Sequence, residues 1–97
     1  MSPVTFKDRF IHVAGALTVD TVSQVLRTSQ PFITGELKGV NLGGVSEVDS
    51  AALALVVEWL RIARKLGIEI GFEQIPPVLL DLAQSSGFEE IVPTFHA

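Results

Sequence analysis

Val40-Asn41-Leu42-Gly43-Gly44-Val45-Ser46-Glu47-Val48-Asp49-Ser50-Ala51-Ala52-Leu53-Ala54-Leu55 decides the fold of this chain. The apolar run Val40 to Leu42 reads as a buried strand, and the Gly43-Gly44 pair as its end. Asp49 and Ser50 stand immediately ahead of a long helical pattern, where the orphan amides of a helix N-terminus take side-chain oxygens as acceptors. A loop thus delivers its polar residues to the positive end of a helix, a place suited to anions or to a recognition surface.

The helix that follows is expected from about Ser50 to Leu66, with Gly67 as its stop. At about 100° per residue, Leu53, Val56, Val57, Leu60 and Ala63 share one stripe. Leu55, Trp59, Ile62 and Leu66 form a second stripe beside it. One sheet face does not require so wide an apolar arc. Either the excess packs on a neighbouring helix, or part of it, with Trp59 as an amphipathic anchor, meets another protein.

Upstream, Val4 to Phe6 and Phe10 to Ala14 are apolar runs split by Lys7-Asp8-Arg9, the pattern of a hairpin. Thr18 and Asp20 start a first helix with Val22, Val25, Leu26 and Ser29 on one face, and Pro31 ends it. Gly35 to Gly39 reads as a loop. Downstream, Ile68, Ile70 and Phe72 alternate with Glu69, Gly71 and Glu73 as a strand. Pro76-Pro77 opens a third helix whose core face is Val78, Leu79, Leu82 and Ala83, with Gly87 at its end. Phe88 to Val92 is a short terminal segment. The order is β-β-α-β-α-β-α. It implies an α/β fold with a mixed, mostly parallel sheet, helices packed on it, and an antiparallel opening pair.

A chain of 97 residues is one domain, 1–97. At that size it buries somewhat over ~60% of its unfolded surface, enough for one core. With no Cys there is no disulfide framework, thiol nucleophile or Cys-based zinc site. No apolar run approaches the ~20 residues of a membrane span. No signal peptide is visible either, so the expected location is cytoplasmic. The net charge of −4, with seven Lys and Arg against eleven acids, argues against nucleic acid as a partner. Arg61, Arg64 and Lys65 cluster where cations complement a helix C-terminus.

The run strand-Gly-Val, then Asp49, Ser50, two small residues and Leu53, resembles the signature of the STAS domain family. That family includes anti-sigma factor antagonists and the cytoplasmic tails of sulfate transporters. The resemblance covers roughly Val4 to Pro93. Asp49-Ser50-Ala51-Ala52-Leu53-Ala54-Leu55 and the later Ala63-Arg64-Lys65-Leu66-Gly67 resemble most closely the small STAS subunit (MlaB-like) of the Mla phospholipid-transport ABC system.

The resemblance implies the STAS fold and a non-catalytic protein that binds and regulates the cytoplasmic ATPase of such a transporter. It would then be peripheral to the inner membrane through the transporter complex. The alternative it leaves open is an anti-sigma factor antagonist-like regulator binding a serine kinase. A small nucleotide-binding protein is a third reading. In anti-sigma factor antagonists the motif resembles Asp-Ser-Ser-Gly, with phosphate added to the second Ser. Here Ala51 and Ala52 stand at the second Ser and the Gly, so no phosphorylation is expected, and Ser50 matches the structural hydroxyl. The expected partner-binding residues are Val48, Asp49, Ser50, Ala51, Ala52, Leu55 and, as an extension, Trp59.

Competing chemistries lack their residues. A receiver-type phosphoacceptor at Asp49 needs an acidic pair after an early strand and a late Lys, but Gly15-Ala16-Leu17 occupies the first place. Gly43-Gly44 belongs to neither phosphate-binding glycine motif. His12 and His96 have no partner ligands at metal spacing. No nucleophile turn is present, and no enzyme, cofactor or metal is expected.

Overall fold

The computed structural model describes residues 3–87; the expected terminal segment from Phe88 to Val92, and His96, lie outside them. The elements are β1 (Val4–Lys7), β2 (Phe10–Leu17), α1 (Val22–Ser29), a 3-10 turn (Gln30–Phe32), β3 (Gly39–Val48), α2 (Ser50–Lys65), β4 (Gly71–Glu73) and α3 (Pro77–Ser85). The sheet order is β1-β2-β3-β4, with β1 and β2 antiparallel and the other pairs parallel. The element order is therefore the expected one.

Alternation along the strands sorts the sheet into two faces. In register, Phe6, Ile11, Val40 and Phe72 form one row, and the last three are fully buried. The next row, Thr5, His12, Asn41 and Glu73, is polar and exposed or half-buried. The helices share the apolar face, with α2 between α1 and α3.

This arrangement explains the wide apolar arc of α2. Ala52, Leu53, Leu55, Val56, Trp59 and Ala63 are all buried, because the helix has the sheet beneath it and a helix on each side. Trp59 is fully buried; its ring lies 6.2 Å from that of Phe72, and its indole N–H donates to Ser29 Oγ of α1 at 2.9 Å. It is a core residue. The expectation that it anchors a partner at the surface fails because α1 supplies the acceptor its polar edge needs. Leu66, placed on the second stripe, is instead 51% exposed beyond the helix end.

Three further expectations need correction. The Gly43-Gly44 pair does not end β3, which runs on to Val48. Its glycines admit close packing and irregular register. A Cβ on Gly44 would lie 3.0 Å from Ala14 Cβ and 3.1 Å from the Val13 carbonyl oxygen. The pairing with β2 shifts between His12 and Ala14, and again between Gly15 and Ala16, so β3 carries extra residues there. Second, β4 is only Gly71–Glu73, and Ile68 and Ile70 precede it in non-strand backbone. Third, Val78 is 56% exposed; Leu79 and Ala83 are the buried residues of α3.

Candidate functional site

Asp49 organises the end of the molecule where β2 and β3 finish and α2 begins. Its backbone is extended, and its Oδ1 accepts from Ala51 N at 2.8 Å, so Asp49 is the N-cap and Ser50 the first helical residue. Its Oδ2 accepts from Val19 N at 3.0 Å, in the loop between β2 and α1. Its own amide donates to Leu17 O at 3.2 Å. One residue therefore joins two loops and a helix start.

The neighbouring loop is held in the same way. Thr21 Oγ1 accepts from Thr18 N at 2.9 Å and donates to Ala16 O at 2.7 Å. These bonds fix the turn out of β2 and leave Val19, 72% exposed, beside the start of α2.

Of the seven residues expected to meet a partner, four reach the surface at this end. Ser50 is exposed, and Val48, Asp49 and Ala51 are half-buried. Ala52, Leu55 and Trp59 point into the core and offer no surface. Helical geometry places exposed Ala54 beside Ser50 and Ala51, and the sequence reading missed it although its spacing of four and three residues was visible. Val19 was also missed; it belongs here through a hydrogen bond between residues 30 apart.

The resulting surface is small-residue backbone capped by a carboxylate. The Asp49 carboxylate takes the Ala51 amide and places negative charge at the helix start, which disfavours an anion there. Among the described residues no group of three or more His, Cys, Asp or Glu could hold a metal ion. His12 lies on the polar sheet face, away from Asp49. No described helix is long and apolar enough to cross a membrane.

Charge is distributed along the strand axis. Asp20, Glu47 and Asp49 lie at this end. Lys7, Arg9 and Lys38 lie at the opposite end, where Lys38 N donates to Arg9 O at 2.8 Å. Arg27, Arg64 and Lys65 occupy the last turns of α1 and α2, which run from the acidic end toward the basic one. Arg61 is bound to Glu58, with Nε to Oε1 at 3.0 Å and a second, closer contact through its Nη2. The bonded guanidinium holds the Glu58 carboxyl below its usual range and raises Arg61, but the Arg61 side chain is 54% exposed and that of Glu58 32%, and the pair is a surface feature.

A family model described as "Mlab, STAS domain" matches residues 4–93. No curated protein matches the chain. Among solved structures, a candidate anti-sigma factor antagonist from Thermotoga maritima is similar with TM-score 0.70 and 12% identity, covering 98% of this chain and 86% of its own. The anti-sigma factor antagonist SpoIIAA in its unphosphorylated form is similar with TM-score 0.64 and 17% identity, covering 97% and 86%. A variant of RsbS from Moorella thermoacetica follows with TM-score 0.61 and 17% identity, covering 98% and 87%. At these identities the likeness is one of fold.

Proposed function

The chain belongs to the STAS domain family and is MlaB-like, and on that premise we propose that it binds and regulates the cytoplasmic ATPase of an Mla-type phospholipid-transport ABC complex. The observation that carries the reading is the family match, which spans residues 4–93 rather than one motif. The surface at the start of α2 supports it. Ser50 is exposed and Ala51 and Ala54 are small, so a partner approaches the helix backbone closely without displacing long side chains.

On this reading the protein is non-catalytic, works in the cytoplasm, and meets the inner membrane only through the transporter. Regulation comes from stabilising one arrangement of the ATPase, a shift set by the difference in affinity for its states. The test is co-expression with the ATPase subunit of the same host's phospholipid transporter, followed by affinity purification and size-exclusion chromatography. A stoichiometric complex is expected. Two proteins that elute separately at micromolar concentration, with ATPase turnover unchanged by the addition, would refute it.

The kinase-binding alternative shares the fold but meets a different residue at the switch position. Ala51 has no hydroxyl, and the only one in the cap is on Ser50. Incubation with an anti-sigma kinase and ATP should leave the intact mass unchanged. Stoichiometric phosphate on Ser50 would favour that alternative instead.

A further inference from the structure

Beside the surface just described lies an apolar notch of about 250 Å³, lined by Val45, Ser46, Glu47, Val48, Pro76 and Val78. It forms because β4 pairs only with Gly39 to Asn41, so the last part of β3 has no strand beside it on that flank among the described residues. The chain leaves β4 through Gln74, at φ 55°, and Pro76 and Pro77 then bring α3 across to form the far wall. Val78 is 56% exposed on that wall, and Val45 and Val48 are half-buried on the near one.

Three properties narrow the occupant. The volume is below the ~300–1,000 Å³ of a small-molecule site, which suits one or two apolar side chains. Pro76 brings no amide N–H to the wall and Glu47 places a carboxylate on it, so the notch does not suit an anion. A whole added strand is also a poor fit, because the extra residues in β3 interrupt its regular edge. Around the notch the charge is acidic, from Glu47 and Asp49, and all seven Lys and Arg of the chain lie toward the other end.

We infer that the protein-binding surface is centred on this notch, and that it seats an apolar side chain of the partner flanked by Lys or Arg. The apolar side chain loses water against Val45, Val48, Pro76 and Val78. The flanking cations meet Glu47 and Asp49 at the rim, where such charges act more on association rate than on residence time. The inference rests on the proposed function for the identity of the partner, and on the notch and its charge for the partner's chemistry.

The decisive experiment places a photo-crosslinking amino acid at exposed Ser46 in the full chain, in the native host, with the same group at Arg64 as the remote control. Crosslinked peptides are sequenced. A peptide from the transporter ATPase with an apolar residue next to Lys or Arg supports both the inference and the proposed function. The same chemistry in another protein supports the notch and overturns the ATPase reading. A peptide without a neighbouring Lys or Arg, or crosslinks from Arg64 but none from Ser46, overturns the notch. The purified ATPase then serves as the binding probe for Val78→Lys and Glu47→Lys. Each should bind at least tenfold more weakly with an unchanged melting temperature, and Glu47→Lys should also flatten the salt dependence. Unchanged affinity in both variants overturns the inference.

Discussion

Ser29→Ala tests whether Trp59 is a core residue held by one polar contact. Ser29 and Trp59 are both fully buried, and the indole N–H donates to Ser29 Oγ at 2.9 Å. The hydroxyl also donates to Leu26 O at 2.9 Å, but that carbonyl keeps a bond from the Gln30 amide. Removing the hydroxyl therefore orphans one group, the indole N–H. A buried donor left without an acceptor costs ~1–3 kcal/mol. The space freed is that of a single oxygen atom, so little is added for a cavity. For a chain near 100 residues each kcal/mol moves Tm by ~4–8 °C, so a loss near the middle of the range lowers Tm by about 8–16 °C. Urea denaturation followed by tryptophan fluorescence measures it directly, because Trp59 is the only tryptophan. Trp59→Phe removes the donor as well, at the further cost of a smaller side chain. In the double variant the lost hydrogen bond should be counted once, giving a coupling of roughly 1–2 kcal/mol. Ser29→Ala within about 0.5 kcal/mol of wild type, or strict additivity in the cycle, would refute the reasoning.

Three further outcomes follow from the same geometry. Asp49→Ala removes the acceptor for both Ala51 N and Val19 N, and should cost ~1–2 kcal/mol by equilibrium denaturation; Asp49→Asn, which keeps a neutral acceptor, should cost less. Gly39→Ala places a Cβ 2.3 Å from Gly71 O and 2.9 Å from the Phe10 ring, against backbone that cannot rotate away. It should cost ~2–3 kcal/mol, whereas Gly35→Ala, with nothing within 4 Å, should stay within about 0.5 kcal/mol. Ala51→Arg, at a half-buried position on the first turn of α2, should cost less than ~1 kcal/mol in thermal melting yet abolish co-purification with the ATPase.

Local patterns made the helices readable. Asp49, the 3.6-residue apolar spacing and Gly67 mark a helix from about Ser50 to Leu66 without reference to any distant residue, and α2 ends one residue earlier, at Lys65. The hairpin of β1 and β2 was equally local, because Lys7-Asp8-Arg9 interrupts two apolar runs and Asp8 and Arg9 adopt the positive φ of a tight turn. The continuation of β3 through Gly43-Gly44 was not readable, because the reason lies in Ala14, 30 positions away in sequence and in contact only once the parallel pair has formed. The role of Trp59 failed for the same reason. Amphipathicity specifies that an indole needs one polar partner, but not that Ser29 supplies it. Val48 to Ala51 are consecutive, so their meeting at the start of α2 can be read along the chain, whereas no spacing in the sequence joins Val78 to Val45 in the notch where α3 crosses.

Asp49 shows why capping and recognition are not competing explanations at this position. A cap that accepted from Ala51 N alone would stabilise α2 but leave the loop after β2, shaped internally by Thr21, without a side-chain tie to the helix start. The second oxygen, on Val19 N, fixes that loop relative to the helix, so Val19, Ser50, Ala51 and Ala54 form one surface. Ordering that surface before a partner arrives lowers the entropy lost on binding. The two Asp49 variants separate these contributions. If the carboxylate only caps the helix, binding to the ATPase should weaken in proportion to the fraction unfolded. If it also pre-orders the loop, Asp49→Ala should weaken binding even where the variant is fully folded. Asp49→Asn, with one oxygen and one N–H in place of two oxygens, loses one of the two contacts and should fall between. Equal affinities for wild type and folded Asp49→Ala would leave Asp49 as a helix cap alone.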